Sequence, residues 1–115
     1  MTTKPELEAA LEQRCVAKVE AAGGLALKLQ IPGVRGFLDR TVLVDGLVFF
    51  AEFKRMKSGR ISAQQTKWAR DLGRSGFGVF FIDTDQQFDD AWALTRAARG
   101  GAGGATITIY RKGSR

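Results

Sequence analysis

The sequence predicts an α/β domain: a mixed central β-sheet flanked by helices, in the order helix, three strands, helix, strand, helix, with an extra C-terminal strand. Three observations predict it. Residues 39–54, DRTVLVDGLVFFAEFK, carry two apolar runs on either side of Asp45-Gly46, and a two-residue Asp-Gly link between such runs is a strong hairpin signal. Residues 77–82, FGVFFI, are a short, wholly apolar run of the kind that forms a buried strand. That run follows a helical pattern, so it can lie parallel to the strand before that helix through a right-handed crossover. Three further segments repeat apolar residues at helical period, which supplies the layers that cover the sheet.

Taken in order, residues 5–22 form the first helix. Thr3 and Glu6 have capping-box spacing, Pro5 sits in the first turn, and Leu7, Leu11, Cys15, Val19 and Ala22 make the buried stripe. Gly23-Gly24 ends it. Residues 25–30 (LALKLQ) are the first short strand, and 31–36 (IPGVRG) a loop by their Pro and Gly content. In the hairpin, Leu47, Phe49, Ala51 and Phe53 share one face and Val48, Phe50, Glu52 and Lys54 the other. Both faces are mostly apolar, which predicts a central strand covered on both sides. Residues 55–60 (RMKSGR) form a cationic loop. Residues 61–74 form the second helix, with Ile61, Gln65, Trp68 and Leu72 inward. The third helix runs from Thr84 to Arg99, capped by Thr84 and Gln87 and burying Phe88, Ala91, Trp92 and Thr95. Residues 1–99 are the domain proper. Residues 100–115 are read as a Gly-rich break, an edge strand at 105–110 (ATITIY) and a basic tail of the same domain.

Composition bounds the chemistry. The 115 residues are 44% hydrophobic, enough for one domain with a real core. Eighteen Lys and Arg against twelve Asp and Glu give a formal charge of +6, and a surplus of that size favours a polyanionic partner, nucleic acid before membrane. No stretch approaches the ~20 apolar residues of a membrane span, and the first dozen residues lack the pattern of a signal peptide. One cysteine, Cys15, fits a reducing cytoplasm. Histidine is absent, which removes Ser-His and Cys-His nucleophile pairs, His-ligated zinc and histidine general bases. Catalysis must run on carboxylates, lysine, a metal, or a lone hydroxyl.

The hairpin corner fixes a register. Counting outward from Asp45-Gly46 pairs Leu43 with Val48, Thr41 with Phe50, and Asp39 with Glu52. Two carboxylates then face each other with Cβ atoms roughly 4.5–5.5 Å apart, an arrangement that destabilises a sheet unless something offsets the repulsion. Lys54, two residues beyond Glu52 on the same face, is one compensator. A divalent cation is the other, since close hard oxygen ligands suit Mg²⁺ or Mn²⁺. An ion pair of Glu52 with Lys54 or Arg40 that serves only stability is the plainer alternative, and it leaves Asp39 unexplained. Arg55, Lys57 and Arg60 in the loop after the acids, with Arg35 and Arg40 before and beside them, would hold DNA phosphates. Gln65 has two readings of equal weight: half of a Ser62–Gln65 capping box, or an inward-facing functional amide.

Asp39, then Glu52-Phe53-Lys54, forms a D-x(n)-E-x-K pattern. With GVRGFLDR before the hairpin and ISAQQ…W…L…G after it, residues 5–95 resemble the VRR-NUC domains, virus-type replication–repair nucleases of the PD-(D/E)XK superfamily with its restriction-endonuclease-like core. Leu38 stands where that family usually has proline. The resemblance implies a Mg²⁺- or Mn²⁺-dependent deoxyribonuclease. Asp39, Glu52 and the Phe53 carbonyl would be metal ligands, Lys54 would orient water or stabilise developing charge, and Gln65 would match a conserved glutamine. The first-helix acid falls on Glu12, with Glu8 as the alternative register. Small members resemble Holliday-junction resolvases and act as homodimers, which implies branched DNA as substrate, a role in DNA repair, and the cytoplasm of a bacterial or phage-infected cell. The competing expectations are a catalytically silent DNA-binding module, and a flap, single-strand or restriction-type nuclease using the same residues.

Overall fold

The computed structural model describes residues 4–54 and 61–100, with side chains from Glu8 to Arg99. The elements are α1 (Lys4–Ala21), β1 (Leu25–Leu27), β2 (Arg40–Val44), β3 (Leu47–Phe53), α2 (Ala63–Arg74), β4 (Gly78–Ile82) and α3 (Asp85–Gly100). They follow the predicted order and form one mixed sheet in the order β1-β2-β3-β4. β1 and β2, and β2 and β3, are antiparallel, while β4 runs parallel to β3 after the α2 crossover. The predicted strand at 105–110, the loop at 55–60 and the capping residue Thr3 lie outside the described residues.

The hairpin turns where the sequence predicts. Val44 pairs with Leu47, and the register continues through Leu43–Val48, Thr41–Phe50 and Arg40–Ala51. Asp45 and Gly46 have φ of 53° and 73°, the left-handed pair that a two-residue turn between twisted strands requires. Arg96 and Arg99 of α3 brace this corner. Arg96 Nη2 lies 2.6 Å from Asp45 Oδ2, and Arg99 Nη1 donates to the Asp45 carbonyl at 3.0 Å. Gly24, where the chain enters β1, passes so close to β2 that a Cβ there would sit 2.6 Å from the Leu43 carbonyl oxygen, so the doubled glycine does more than end α1.

Alternation along the strands sorts the core into two layers. On one face Val42, Val44, Phe49, Ala51, Phe53, Phe80 and Ile82 pack against Leu11, Cys15 and Val19 of α1 and Phe88 and Ala91 of α3. On the other, Phe50, Val79 and Phe81 pack with Leu38 and with Ala69 of α2, flanked by Trp68 and Leu72. β3 is therefore covered on both sides, as its apolar run predicts. The two helices sharing a face are also bridged at their surface, with Arg14 Nη2 3.0 Å from Asp85 Oδ2 and Lys18 Nζ 2.9 Å from Asp89 Oδ1. Both pairs are exposed, so their weight in stability is small.

Three details differ from expectation. β1 stops at Leu27, which pairs with Thr41, rather than at residue 30; β2 begins only at Arg40, so residues 29 and 30 have no strand residue to face. Ala22 is exposed: α1 ends at Ala21, and the following turn points it away from the core. Ile61 lies before α2, which starts at Ala63 behind its cap Ser62.

Candidate active site

The site forms where the open ends of the hairpin strands meet α2. Asp39 immediately precedes β2, and two neighbours on its chain anchor it. Leu38 is 2% exposed within the α2-side core. The Phe37 ring packs edge-on against Trp68 at 4.9 Å and Phe50 at 5.9 Å between centroids. Leu38, at the position where the resemblance expects proline, thus fixes the approach to the acid by burial instead of by a restrained backbone.

Asp39 and Glu52 bind each other's strands reciprocally. The Asp39 amide donates to Glu52 Oε1 at 2.9 Å, and the Phe53 amide donates to Asp39 Oδ2 at 2.9 Å. These two bonds continue the hairpin ladder with side-chain oxygens in place of carbonyls, and so lock both carboxylates at one point. Glu52 is 4% exposed. Its second oxygen, Oε2, accepts from Gln65 Nε2 and lies 3.8 Å from Lys54 Nζ.

Gln65 forms the predicted capping box and also faces inward, onto Glu52. Its Oε1 accepts from the Ser62 amide at 3.0 Å while the Ser62 hydroxyl accepts from the Gln65 amide at 3.0 Å, a complete capping box. The same side chain then donates through Nε2 to Glu52. Because the cap fixes the amide oxygen, the amide nitrogen is forced to face the site.

Among the described residues, no cation pairs tightly with either acid. Burial pushes Glu52 up to about 7, with the nearby Asp39 charge adding to it and the Asp39 amide and Lys54 opposing. Asp39 is also raised, first by burial and further by Glu12, against the bond from the Phe53 amide. Lys54 at 3.8 Å is too distant for a tight ion pair, and an isolated lysine cannot neutralise two acids. A buried and a half-buried carboxylate, short of positive charge among the described residues, fit Mg²⁺ or Mn²⁺, the ions the resemblance implies. Asp39 and Glu52 are the residues that would hold it. Among the described residues no group of three or more His, Cys, Asp or Glu gathers around one metal position, so a two-carboxylate set would need oxygens from backbone, water or phosphate.

The remaining predicted residues fall into three groups. Glu12 projects from α1 toward the same end of the sheet, and its charge acts on both Asp39 and Glu52; Glu8 is one turn earlier. Arg35 is exposed in the loop that leads to Asp39, on the rim of a cleft lined by Leu29, Ile31, Pro32, Val34 and Phe37. Arg40, expected to grip DNA, is instead directed into the α1-side layer, where its Nε donates to Glu12 Oε2 at 2.7 Å. Alternation explains this, since Arg40 must face opposite to Asp39. Arg55, Lys57 and Arg60 lie outside the described residues. Sequence reading missed the anchoring pair Phe37-Leu38 and the Glu12–Arg40 contact. The apolar character of Phe37-Leu38 beside a predicted acid was the available signal for the first, and no local spacing signals the second.

The structure is similar to a solved VRR_NUC domain, with a TM-score of 0.67 and 25% sequence identity over 76% of this chain and 95% of that one. No protein-family model matches the sequence, and no curated protein does. The chain has the fold of a VRR-NUC domain.

Proposed function

We propose that the chain is a nuclease-type domain that hydrolyses DNA phosphodiester bonds with Mg²⁺ or Mn²⁺. The observation that carries this is the reciprocal locking of Asp39 and Glu52 on a VRR-NUC fold, with Lys54 and Gln65 closing on the same carboxylate. Nothing in a purely structural hairpin calls for two acids at one point, one buried and one half-buried, since their repulsion costs stability.

The residues have distinct tasks. A divalent ion there supplies charge neutralisation of the scissile phosphate and lowers the pKa of water bound to it. Asp39 and Glu52, with the Phe53 carbonyl, would hold it. Gln65 fixes the rotamer of Glu52, so the carboxylate enters the reaction already oriented. Lys54 brings an ammonium to within reach of the phosphate, where it stabilises the charge that builds on the non-bridging oxygens, or orients the attacking water. Arg35, Arg55, Lys57 and Arg60 contribute backbone grip without sequence readout. Substrate geometry follows from the resemblance: branched or junction DNA, cut by a homodimer that presents one site to each of two strands.

The test is incubation with four-way junction, flap, single-strand and linear duplex DNA in Mg²⁺, Mn²⁺ or EDTA, beside Glu52→Ala. Metal-dependent cleavage that the substitution abolishes supports the proposal. Cleavage in EDTA, or cleavage unaffected by Glu52→Ala, overturns it, and metal-independent binding without cleavage identifies a silent DNA-binding module.

A further inference from the structure

The loop that joins β1 to β2 and ends at Asp39 is a shaped wall. At its middle the Val34 amide donates to the Ile31 carbonyl at 2.9 Å. Pro32 takes the second position of this turn and Gly33 the third, with φ of 78°, the residues a type II turn favours there. Gly36 has φ of 68° just before Phe37. These bends enclose a cleft of about 550 Å³ lined by Leu29, Ile31, Pro32, Val34 and Phe37, within the range of roughly 300–1,000 Å³ of small-molecule sites. Leu29 is left 41% exposed, and the Phe37 ring is held in place by Trp68 and Phe50. Gln30 and Arg35 also line the cleft. Both are exposed, and Arg35 forms no ion pair among the described residues.

Charge and lining together select an occupant. A guanidinium holds a phosphate, while an aromatic and aliphatic lining takes the flat face of a base whatever its identity. Gln30 adds an amide that can donate to a base edge or accept from it. An apolar peptide would leave Arg35 without a counter-charge, and the formal charge of +6 favours a polyanion. Within an intact duplex each base is stacked and paired, so the cleft can receive only a base that has left the stack. We propose that this cleft seats one unpaired nucleobase of the substrate strand, with Arg35 on its phosphate. Phe37 is two residues from Asp39, at most about 7 Å between Cα atoms, so the seated nucleotide lies within a few nucleotides of the phosphate to be cut. The inference rests on the DNA-hydrolysis reading above and adds what the substrate must offer, an unpaired nucleotide beside the scissile bond.

The test uses the intact chain in EDTA, so that it reads binding without cleavage. Two duplexes of equal length are compared, one fully paired and one carrying a single bulged 2-aminopurine, whose fluorescence rises when it leaves its stacked neighbours. Wild type is expected to bind the bulged duplex about tenfold more tightly than the paired one and to raise the fluorescence. Phe37→Leu keeps an apolar side chain but removes the ring, and Ile31→Asn makes the lining polar without changing charge. Each should bring the preference below about threefold and lower the fluorescence rise. Arg35→Met should weaken both duplexes alike, reduce the salt slope by about 0.9 and leave the preference in place. Equal affinity of wild type for the two duplexes, no fluorescence rise, a preference that survives in both lining variants, or an unchanged slope in Arg35→Met overturns the inference. A lower molar mass of Ile31→Asn by light scattering assigns the cleft to a second copy of the chain and overturns it as well. Wild type that cleaves DNA yet shows no preference removes this inference alone, whereas wild type that binds neither duplex at low salt removes the DNA reading with it. Circular dichroism melts confirm that the variants are folded, and Ile31→Asn carries the test if Phe37→Leu does not fold.

Discussion

Glu52 makes the metal-free protein sensitive to pH in a direction opposite to that of a salt-bridged carboxylate. Its affinity for protons in the fold, raised from 4.5 to about 7, exceeds that in the unfolded chain. A raised acid contributes stability that is fully present below the unfolded value and is lost as pH rises through the folded one. At ~1.4 kcal/mol for each tenfold difference in proton affinity, the gap is roughly 3 kcal/mol, and most of that is lost between pH 5 and pH 8. The perturbation is Glu52→Ala, and the assay is urea unfolding in EDTA at intervals between those pH values. Wild type is expected to lose roughly 2–3 kcal/mol more than the variant across this range, whatever the absolute stability of each. Part of that difference reflects Asp39, which is freed of its charged neighbour in the variant. Added Mn²⁺ at pH 8 should restore much of the wild-type loss and leave Glu52→Ala unmoved. Parallel pH profiles for the two proteins would refute the reasoning.

Other consequences are direct. Lys54→Met should lower metal-dependent DNA cleavage about 10²–10³-fold at saturating DNA while leaving the thermal melting point close to wild type, because its ammonium makes no tight ion pair in the fold and acts on charge developing in the reaction. Gln65→Ala and Ser62→Ala should each destabilise α2 by about 1 kcal/mol, measured by urea unfolding, yet only Gln65→Ala should also reduce cleavage, because only Gln65 touches Glu52. Cys15 is fully buried and its thiol is pushed up to about 12, chiefly by burial; it should resist a thiol reagent in the native protein at pH 8 and react fully in denaturant.

Much of this arrangement was legible in the residues because its strongest signals are local. Asp45-Gly46 determines a turn type, the turn determines the register, and the register alone brings Asp39 opposite Glu52. The parallel placement of β4 follows from an apolar run behind a crossover helix. Gln65 was less legible, since capping and site support predicted the same inward glutamine, and the structure has the cap together with a bond to Glu52. Arg40 was not legible as Glu12's partner. The two are 28 residues apart, and only the packing of α1 across the sheet brings them together. In sequence, its closeness to Asp39 suggested a phosphate contact, although strand alternation already directed it to the opposite face. β1 was overextended for a similar reason: the pattern LALKLQ fits a strand, but its length is set by the partner strand, which begins only at Arg40.

The central claim is that Asp39 and Glu52 are held together to bind one divalent cation. Crystals soaked in Mn²⁺ and measured above the manganese absorption edge test it directly. The expected result is an anomalous peak between the two carboxylates, within about 2.0–2.4 Å of an oxygen from each, absent in Glu52→Ala. No peak at that position, or a peak bound elsewhere while both acids keep their hydrogen bonds to the Asp39 and Phe53 amides, would contradict it.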